Sequence, residues 1–188
     1  MDRLTVNLSG LILDNPIIPA SGTFGYGQEY KDFYDLNILG SISIKGTTLN
    51  SRFGNSTPRI AECPSGMINA VGLQNPGLTK VINEELVNLA KIYHKPIIAN
   101  ISGFSKQEYI ECCQKIDNVE NVGIIELNVS CPNIKDGGMS FGTDSDILFD
   151  LVKAVKQVVT KPLYVKLSPN VSDIISIAKA AESAGADG

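Results

Sequence analysis

The sequence predicts an α/β fold of parallel strands, in the form of the first part of a (β/α)8 TIM barrel preceded by a short amino-terminal β-hairpin. Short apolar runs alternate with amphipathic segments long enough to be crossover helices, giving about five β/α units. Polar residues gather after the apolar runs rather than before them. Because ligands bind at the carboxyl ends of parallel strands, this pattern favours an enzyme.

The elements can be predicted in order from the spacing of apolar residues. Alternation from Leu4 to Leu8, a turn at Ser9 and Gly10, and a second apolar run predict the hairpin. Further strands are predicted at 16–20, 41–45, 97–99, in the run from 124 that leads to Cys131, and at 163–167. Helices are predicted at 28–36, from 78 to about 93, and at 106–116, 146–159 and 172–184. Glycines and prolines throughout 46–77 exclude a continuous helix and predict an ordered loop system.

Both a doubly wound sheet and part of a barrel fit this alternation of strands and helices. The segment 22–27 has glycines in the reverse of the Rossmann spacing, so we reject a dinucleotide-binding motif there. A complete barrel usually takes about 250 residues, so a single domain over 1–188 is expected to lack the later units. The ending 185–188 is expected to stop a helix and lead into a sixth strand.

Composition excludes several classes of function. The chain is 43% hydrophobic and 19% charged, as in ordinary globular proteins, and its net charge of -4 is dispersed, with no basic stripe for nucleic acid. No apolar run approaches the roughly 20 residues of a membrane-spanning helix, so a cytoplasmic protein is expected. Four cysteines without a CxxC pair and a single histidine, His94, predict no metal site.

The predicted strand ends converge on a rim of amides, lysines and one thiol. These side chains are Ser21, Lys45, Asn100, Asn128, Cys131 and Lys166. The rim has no Ser/His/Asp set and few carboxylates, which disfavours triad hydrolysis, two-metal and glycosidase chemistry. Lysines can stabilise negative charge on a reduced ring while a thiol moves a proton, so the set suits a redox cofactor with imide edges.

Bland alternatives stay open for these residues taken one at a time. Cys131 can be a small buried residue between turn-capping asparagines, and each lysine can be a surface side chain. The glycines within 134–142 predict a mobile lid over Cys131, although they can equally be ordinary turn residues.

Four segments carry a resemblance to a known family. They are 43–48 (SIKGTT), 66–77 (GMINAVGLQNPG), 128–133 (NVSCPN) and 164–170 (YVKLSPN). In this order they resemble the dihydroorotate dehydrogenases. Lys45 followed by glycine, together with the wording of 69–77, resembles the class 1B, NAD-linked catalytic subunit more than class 1A.

The resemblance implies an FMN-bearing barrel that oxidises (S)-dihydroorotate to orotate in pyrimidine (UMP) biosynthesis. It implies that Cys131 is the base that removes the C5 proton and that Lys45 touches both flavin and substrate. The implied flavin contacts are Ser21, Lys45, Gly46, Asn100, Asn128 and Lys166. The implied substrate contacts are Lys45, Asn69, Ala70, Val71, Gly72, Leu73, Asn128 and Asn133.

The resemblance also implies partners and a limit. Electrons are expected to pass from FMN to an electron-transfer subunit that carries FAD and a 2Fe-2S cluster, and from there to NAD, in a heterotetramer built on a homodimer. The family's flavin phosphate site follows its last strands, so 188 residues alone are expected to bind FMN poorly. Two other functions stay open: a related flavin barrel acting on another dihydropyrimidine, such as dihydrouracil, and a non-catalytic barrel scaffold.

Overall fold

The structure, a computed structural model, describes residues 3–130 and 141–188. Within these ranges the strands are β1 (Val6–Leu8), β2 (Leu11–Leu13), β3 (Ile60–Cys63), β4 (Gly66–Asn69), β5 (Ile97–Ile101), β6 (Val122–Asn128) and β7 (Leu163–Lys166). The α-helices are α1 (Leu78–Lys80), α2 (Leu86–Ala90), α3 (Lys106–Ile116), α4 (Ser145–Lys156) and α5 (Ile174–Ser183). A π-helical segment, Val81–Glu85, joins α1 to α2, and a single 3-10 turn spans Leu36–Ile38. None of the described helices is long and apolar enough to cross a membrane.

Strands β5, β6 and β7 form a parallel sheet in chain order, and further main chain lies along both of its edges. On one edge, parallel bridges join Ser43 to Ile98 and Thr47 to Ile101. On the other edge, the Asp187 N–H donates to the Leu163 carbonyl at 2.7 Å. Five parallel lines of chain therefore follow one another in space in the order in which they occur in the sequence.

The strand pleat divides the residues of this sheet between two faces. Alternate residues such as Ala99, Ile125 and Leu127 are fully buried and belong to the main hydrophobic core. Helix residues complete that core, among them Cys112 and Cys113 on α3. Burial raises the pKa of Cys112 to about 12 and raises that of Cys113 well above its usual value, so both thiols are neutral packing groups.

Most of the predicted helices are present, and side chains cap the first turns of α3, α4 and α5. The bounds of α3 match the predicted 106–116, and α4 and α5 lie close to their predicted ranges. Ser105 Oγ accepts from the Glu108 N–H at 3.2 Å while the Glu108 carboxylate accepts from the Phe104 N–H at 2.6 Å. Asp144 and Asp173 cap α4 and α5 by accepting bonds from main-chain N–H groups of the first turn.

Three predictions for the first 50 residues were wrong. No strand forms at 16–20, because Pro16 and Pro19 provide no N–H donors for a ladder, although the segment accepts bonds from Gly40 and Ser43. The predicted helix 28–36 is a series of turns, since bonds such as Phe33 N–H to the Tyr30 carbonyl span only three residues. The predicted strand 41–45 is reduced to one bridge.

The loop region 46–77 contains a β-hairpin that the sequence did not predict. Strands β3 and β4 pair antiparallel from Ile60 with Asn69 to Cys63 with Gly66. All of these residues except Cys63 are exposed, so the hairpin lacks the alternating burial from which strands are predicted. The region contains no continuous helix, as predicted.

The amino-terminal pair β1–β2 is antiparallel and lies against the amino-terminal ends of the sheet strands. A Cβ atom added to Gly123, near the start of β6, would lie 2.8 Å from a methyl carbon of Leu11. Ser9 Oγ hydrogen-bonds the Tyr164 hydroxyl at 3.0 Å. The pair therefore covers the end of the sheet opposite to the predicted rim.

Asp187 hydrogen-bonds Leu163 of β7 through both its main-chain N–H and its carboxylate. Because the carboxylate is charged, this contact is sensitive to pH. Partial burial raises the pKa of Asp187. The Leu163 N–H and the Lys156 ammonium together lower this pKa by more than burial raises it, so the pKa lies below its usual value. A lowered pKa in the folded state gives stability that is present above the unfolded pKa of about 3.9 and is lost as the pH falls through the folded value.

We therefore expect Asp187→Asn to lower the free energy of unfolding by about 0.5–1 kcal/mol near neutral pH. The difference from the unsubstituted chain should shrink below about pH 4, where the carboxylate becomes protonated. Urea unfolding at neutral and acidic pH measures it, with the exposed Asp150→Asn of α4 as matched control. A difference that grows on acidification would contradict this account.

Candidate active site

The polar residues of the sheet share one face at the carboxyl ends of the strands. The register places Asn100 of β5 opposite Glu126 of β6, and Asn128 of β6 opposite Lys166 of β7. Residues 126 and 128 are two apart and so point to the same side of the pleat. The structure therefore brings these four side chains to one rim of the sheet, behind which the apolar alternates pack on helices.

A hydrogen-bond network joins three neighbouring lines of chain at this rim. Asn100 Nδ2 donates to Glu126 Oε1 at 2.5 Å, and Ser43 Oγ donates to the same oxygen at 3.4 Å. Asn100 is fully buried and Ser43 is nearly so. Because a carboxylate oxygen only accepts, Glu126 fixes which end of the Asn100 amide faces it.

Two buried polar atoms near this network have no hydrogen-bond partner within 3–130 and 141–188. They are Asn100 Oδ1 and Ser102 Oγ. Both lie beside Gly46, where an added Cβ would stand 2.9 Å from Asn100 Oδ1 and 3.2 Å from Ser102 Oγ. A buried acceptor without a donor costs about 1–3 kcal/mol, so the cluster of Gly46, Leu73, Asn100 and Ser102, which we call the Gly46 pocket, has the chemistry of a ligand contact.

The two lysines of the rim have different surroundings. Lys166 Nζ donates to Ser21 Oγ at 2.8 Å, which connects the end of β7 to the segment after 16–20. Lys45 is half-buried, and its main-chain N–H donates to the Gly25 carbonyl at 2.9 Å. Among the described residues no hydrogen bond or ion pair engages the Lys45 ammonium. A positive charge at the rim is thus left available for an anionic or electron-rich partner.

Asn128 ends β6 in a hydrogen-bonded turn. Its Oδ1 accepts from both the N–H and the Oγ of Ser130, at 3.2 and 2.6 Å. Its main-chain carbonyl accepts from the Tyr109 hydroxyl of α3 at 2.7 Å. These bonds occupy the oxygen of the amide and hold the chain that leads on toward 131.

The segment 69–73 is divided between the hairpin and the Gly46 pocket. Asn69 ends β4 and is exposed, as is Ala70, whereas Val71 and Gly72 are half-buried. Leu73 reaches the pocket, since its Cδ2 would lie 3.4 Å from a Cβ added to Gly46. No described contact joins Asn69 or Ala70 to the rim.

Gly72 satisfies a backbone requirement of this segment. Its φ of 75° lies in the left-handed region, and an added Cβ would stand 2.7 Å from Asn55 Cγ. Leu73 also has a positive φ, 56°, which is uncommon for a residue with a side chain. The strained turn therefore delivers the Leu73 side chain to the pocket.

Other predicted residues fall outside the described ranges. Cys131 and Asn133 lie outside them, as does the predicted lid 134–142 apart from its last two residues. Within 3–130 and 141–188, no group of three or more His, Cys, Asp or Glu side chains could hold a metal ion.

Three rim residues were not singled out from the sequence: Ser43, Ser102 and Glu126. Few carboxylates were expected at the strand ends, and Glu126 was missed. It stands in an apolar run two residues before Asn128. A lone charged residue in a run of buried strand residues was the pattern that could have found it. Ser102 had no such pattern, because small polar residues are common after strands.

A parallel α/β scaffold with uncommitted amide, hydroxyl and ammonium groups at its strand ends is the arrangement of an α/β enzyme site. The family model described as dihydroorotate dehydrogenase matches residues 3–188. The chain belongs to the dihydroorotate dehydrogenase family.

Similar curated proteins carry a more specific name. The chain is 58% identical over 185 residues to a protein of Enterococcus faecalis OG1RF, covering 98% of the chain and 59% of that protein. It is 58% identical over 188 residues to one of Geobacillus kaustophilus and 57% identical to one of Halalkalibacterium halodurans, covering 100% of the chain and 60% and 61% of those proteins. All three are named dihydroorotate dehydrogenase B (NAD(+)), catalytic subunit. The chain thus spans about three-fifths of the length of these relatives.

Substitution of Gly46 tests the packing of the pocket. We expect Gly46→Ala to lower the free energy of unfolding by about 1–3 kcal/mol, because the added methyl must displace Asn100 Oδ1. Gly66→Ala in β4 is the matched control, since an added Cβ there meets nothing within 4 Å. Urea unfolding of both variants gives the comparison. Equal stabilities would show that the pocket has room that the structure does not contain.

Proposed function

We propose that the chain forms part of a flavin-dependent dihydroorotate dehydrogenase that oxidises (S)-dihydroorotate to orotate. The observation that carries the proposal is 57–58% identity, along 98–100% of the chain, to relatives named as that enzyme. The rim of the sheet supports it, because its unpartnered acceptor and its lysine suit an imide-edged ring. The related flavin barrel and the non-catalytic scaffold are not favoured by these relatives.

We propose that residues 1–188 are one domain and the first part of a (β/α)8 barrel. The sequential spatial order of the five parallel chain lines supports a barrel, because a doubly wound sheet reverses its strand order at a switch point. The pairing of Asp187 and Gly188 with β7 supports a further strand there. The predicted cytoplasmic location stays a prediction.

FMN is implied by the family, and the chemistry of the residues present is compatible with it. The Gly46 pocket offers Asn100 Oδ1 as an acceptor, and the lack of a side chain at Gly46 leaves this acceptor in place, since an added Cβ would stand 2.9 Å from it. Lys166, fixed by Ser21, and Lys45 would hold positive charge near the ring. When bound, FMN supplies the acceptor for the hydride that leaves the substrate.

The substrate residues are proposed on the same basis. Cys131 would remove the C5 proton of dihydroorotate as the C6 hydride departs, since a thiol with a reference pKa of about 8.5 has some thiolate near neutral pH. Asn128 and Asn133, with the segment 69–73, would bind the pyrimidine amides and carboxylate. Lys45 would contact both ligands.

We propose the partners from the names of the relatives. A catalytic subunit named for NAD implies a second subunit that passes electrons onward, for which FAD and a 2Fe-2S cluster are the expected carriers. A homodimer within a heterotetramer is the expected assembly.

Substitution of Cys131 tests the proposed reaction in the full-length protein, meaning this chain continued to the length of its relatives. We expect Cys131→Ala to lower kcat for dihydroorotate oxidation about 100-fold or more at unchanged flavin content, because the proton acceptor is lost. Cys63→Ala, in the exposed hairpin, is the matched control.

Two results would contradict the proposal. Unchanged turnover in Cys131→Ala would remove this thiol from the chemistry. Faster turnover of dihydrouracil than of dihydroorotate in the unsubstituted protein would assign the site to another dihydropyrimidine.

A further inference from the structure

Glu126 holds the amide of Asn100 in a single orientation. Its Oε1 receives Asn100 Nδ2 at 2.5 Å and Ser43 Oγ at 3.4 Å. A carboxylate oxygen can accept both bonds and has no hydrogen of its own to donate. The NH2 end of Asn100 must therefore face Glu126.

The other end of the same amide is turned into the Gly46 pocket. Asn100 Oδ1 is buried there without any protein donor among the described residues. Were the amide to turn over, its oxygen would oppose the carboxylate and its NH2 would enter the pocket, which would then offer a donor in place of an acceptor. The orientation of one side chain thus decides which ligand edge the pocket accepts.

We propose that Glu126 is a positioning residue that keeps the Gly46 pocket an acceptor, so that it selects the N–H edge of the cofactor ring. This inference rests on the proposed function, because an imide such as that of the isoalloxazine ring supplies the N–H. Glu126 acts through Asn100 and needs no contact with the ligand. Its role is distinct from those of the lysines, which place charge rather than a directed acceptor.

The test exchanges the amide and the carboxylate between positions 100 and 126 in the full-length protein. In Glu126→Gln the new amide can donate or accept, so Asn100 is no longer fixed, and the Kd for FMN should rise about tenfold. In Asn100→Asp two carboxylates oppose each other, and affinity should fall at least as much. In the double variant Glu126→Gln/Asn100→Asp, the introduced glutamine donates to one oxygen of the introduced aspartate while the other oxygen faces the pocket. The Kd should then return to within about threefold of the unsubstituted value.

The measurement is quenching of FMN fluorescence by apoprotein, together with the position of the bound flavin absorption band. Glu120→Gln, an exposed change of the same charge just before β6, is the matched control and should leave both unchanged. If Glu126→Gln does not fold, the return of affinity from Asn100→Asp to the double variant still reports the pairing.

The outcomes separate this inference from the function on which it rests. FMN binding by the unsubstituted protein, with Glu126→Gln equal to Glu120→Gln, would overturn the positioning role and leave the proposed function standing. A double variant no better than Asn100→Asp would also overturn it. An unsubstituted protein that binds no FMN would overturn both.

Discussion

The pleat of the parallel strands is the constraint on which the rest of this structure depends. It sends one set of alternate residues of β5, β6 and β7 into the apolar core and places Asn100, Glu126, Asn128 and Lys166 together on the other face. A slip of one residue would bury Asn100 and Glu126 among the core side chains and expose the isoleucines and leucines. Fold and site are therefore specified by the same alternation, and neither can shift without the other.

Elements that bury one face could be predicted from the sequence, because burial leaves a periodic pattern. Helix α3 follows from its spacing and from Ser105 and Glu108 at its start, and the strand before Asn128 follows from an apolar run. The segment 28–36, which was predicted as a helix, forms turns with three-residue hydrogen bonds, and its Tyr30 stacks on Phe24 with the ring centroids 4.2 Å apart. The exposed β3–β4 hairpin has no buried face and left no pattern.

The residues of the site could be predicted from the sequence, but the contacts between them could not. Strand-end position identifies Lys45, Asn100, Asn128 and Lys166, since any polar residue at the end of an apolar run stands out. The register between neighbouring strands decides which of these side chains are in contact. The sequence of one strand does not specify which residues of the next strand lie opposite. The contact of Asn100 with Glu126 and the bond from Lys166 to Ser21 are products of that register.

The rim combines groups that are satisfied within the protein with groups that are not. Lys166 and Asn128 have protein partners, whereas Asn100 Oδ1 and Ser102 Oγ have none among the described residues, and this difference makes these two atoms the candidate ligand contacts. The chain covers about 60% of the length of these relatives.

The proposed function requires that this rim bind a flavin that dihydroorotate reduces. The most direct measurement is the visible absorbance spectrum of the full-length protein before and after dihydroorotate is added without oxygen. The account predicts a flavin band that bleaches on addition of this substrate. A flavin band that persists, or a purified protein without any flavin, would contradict it.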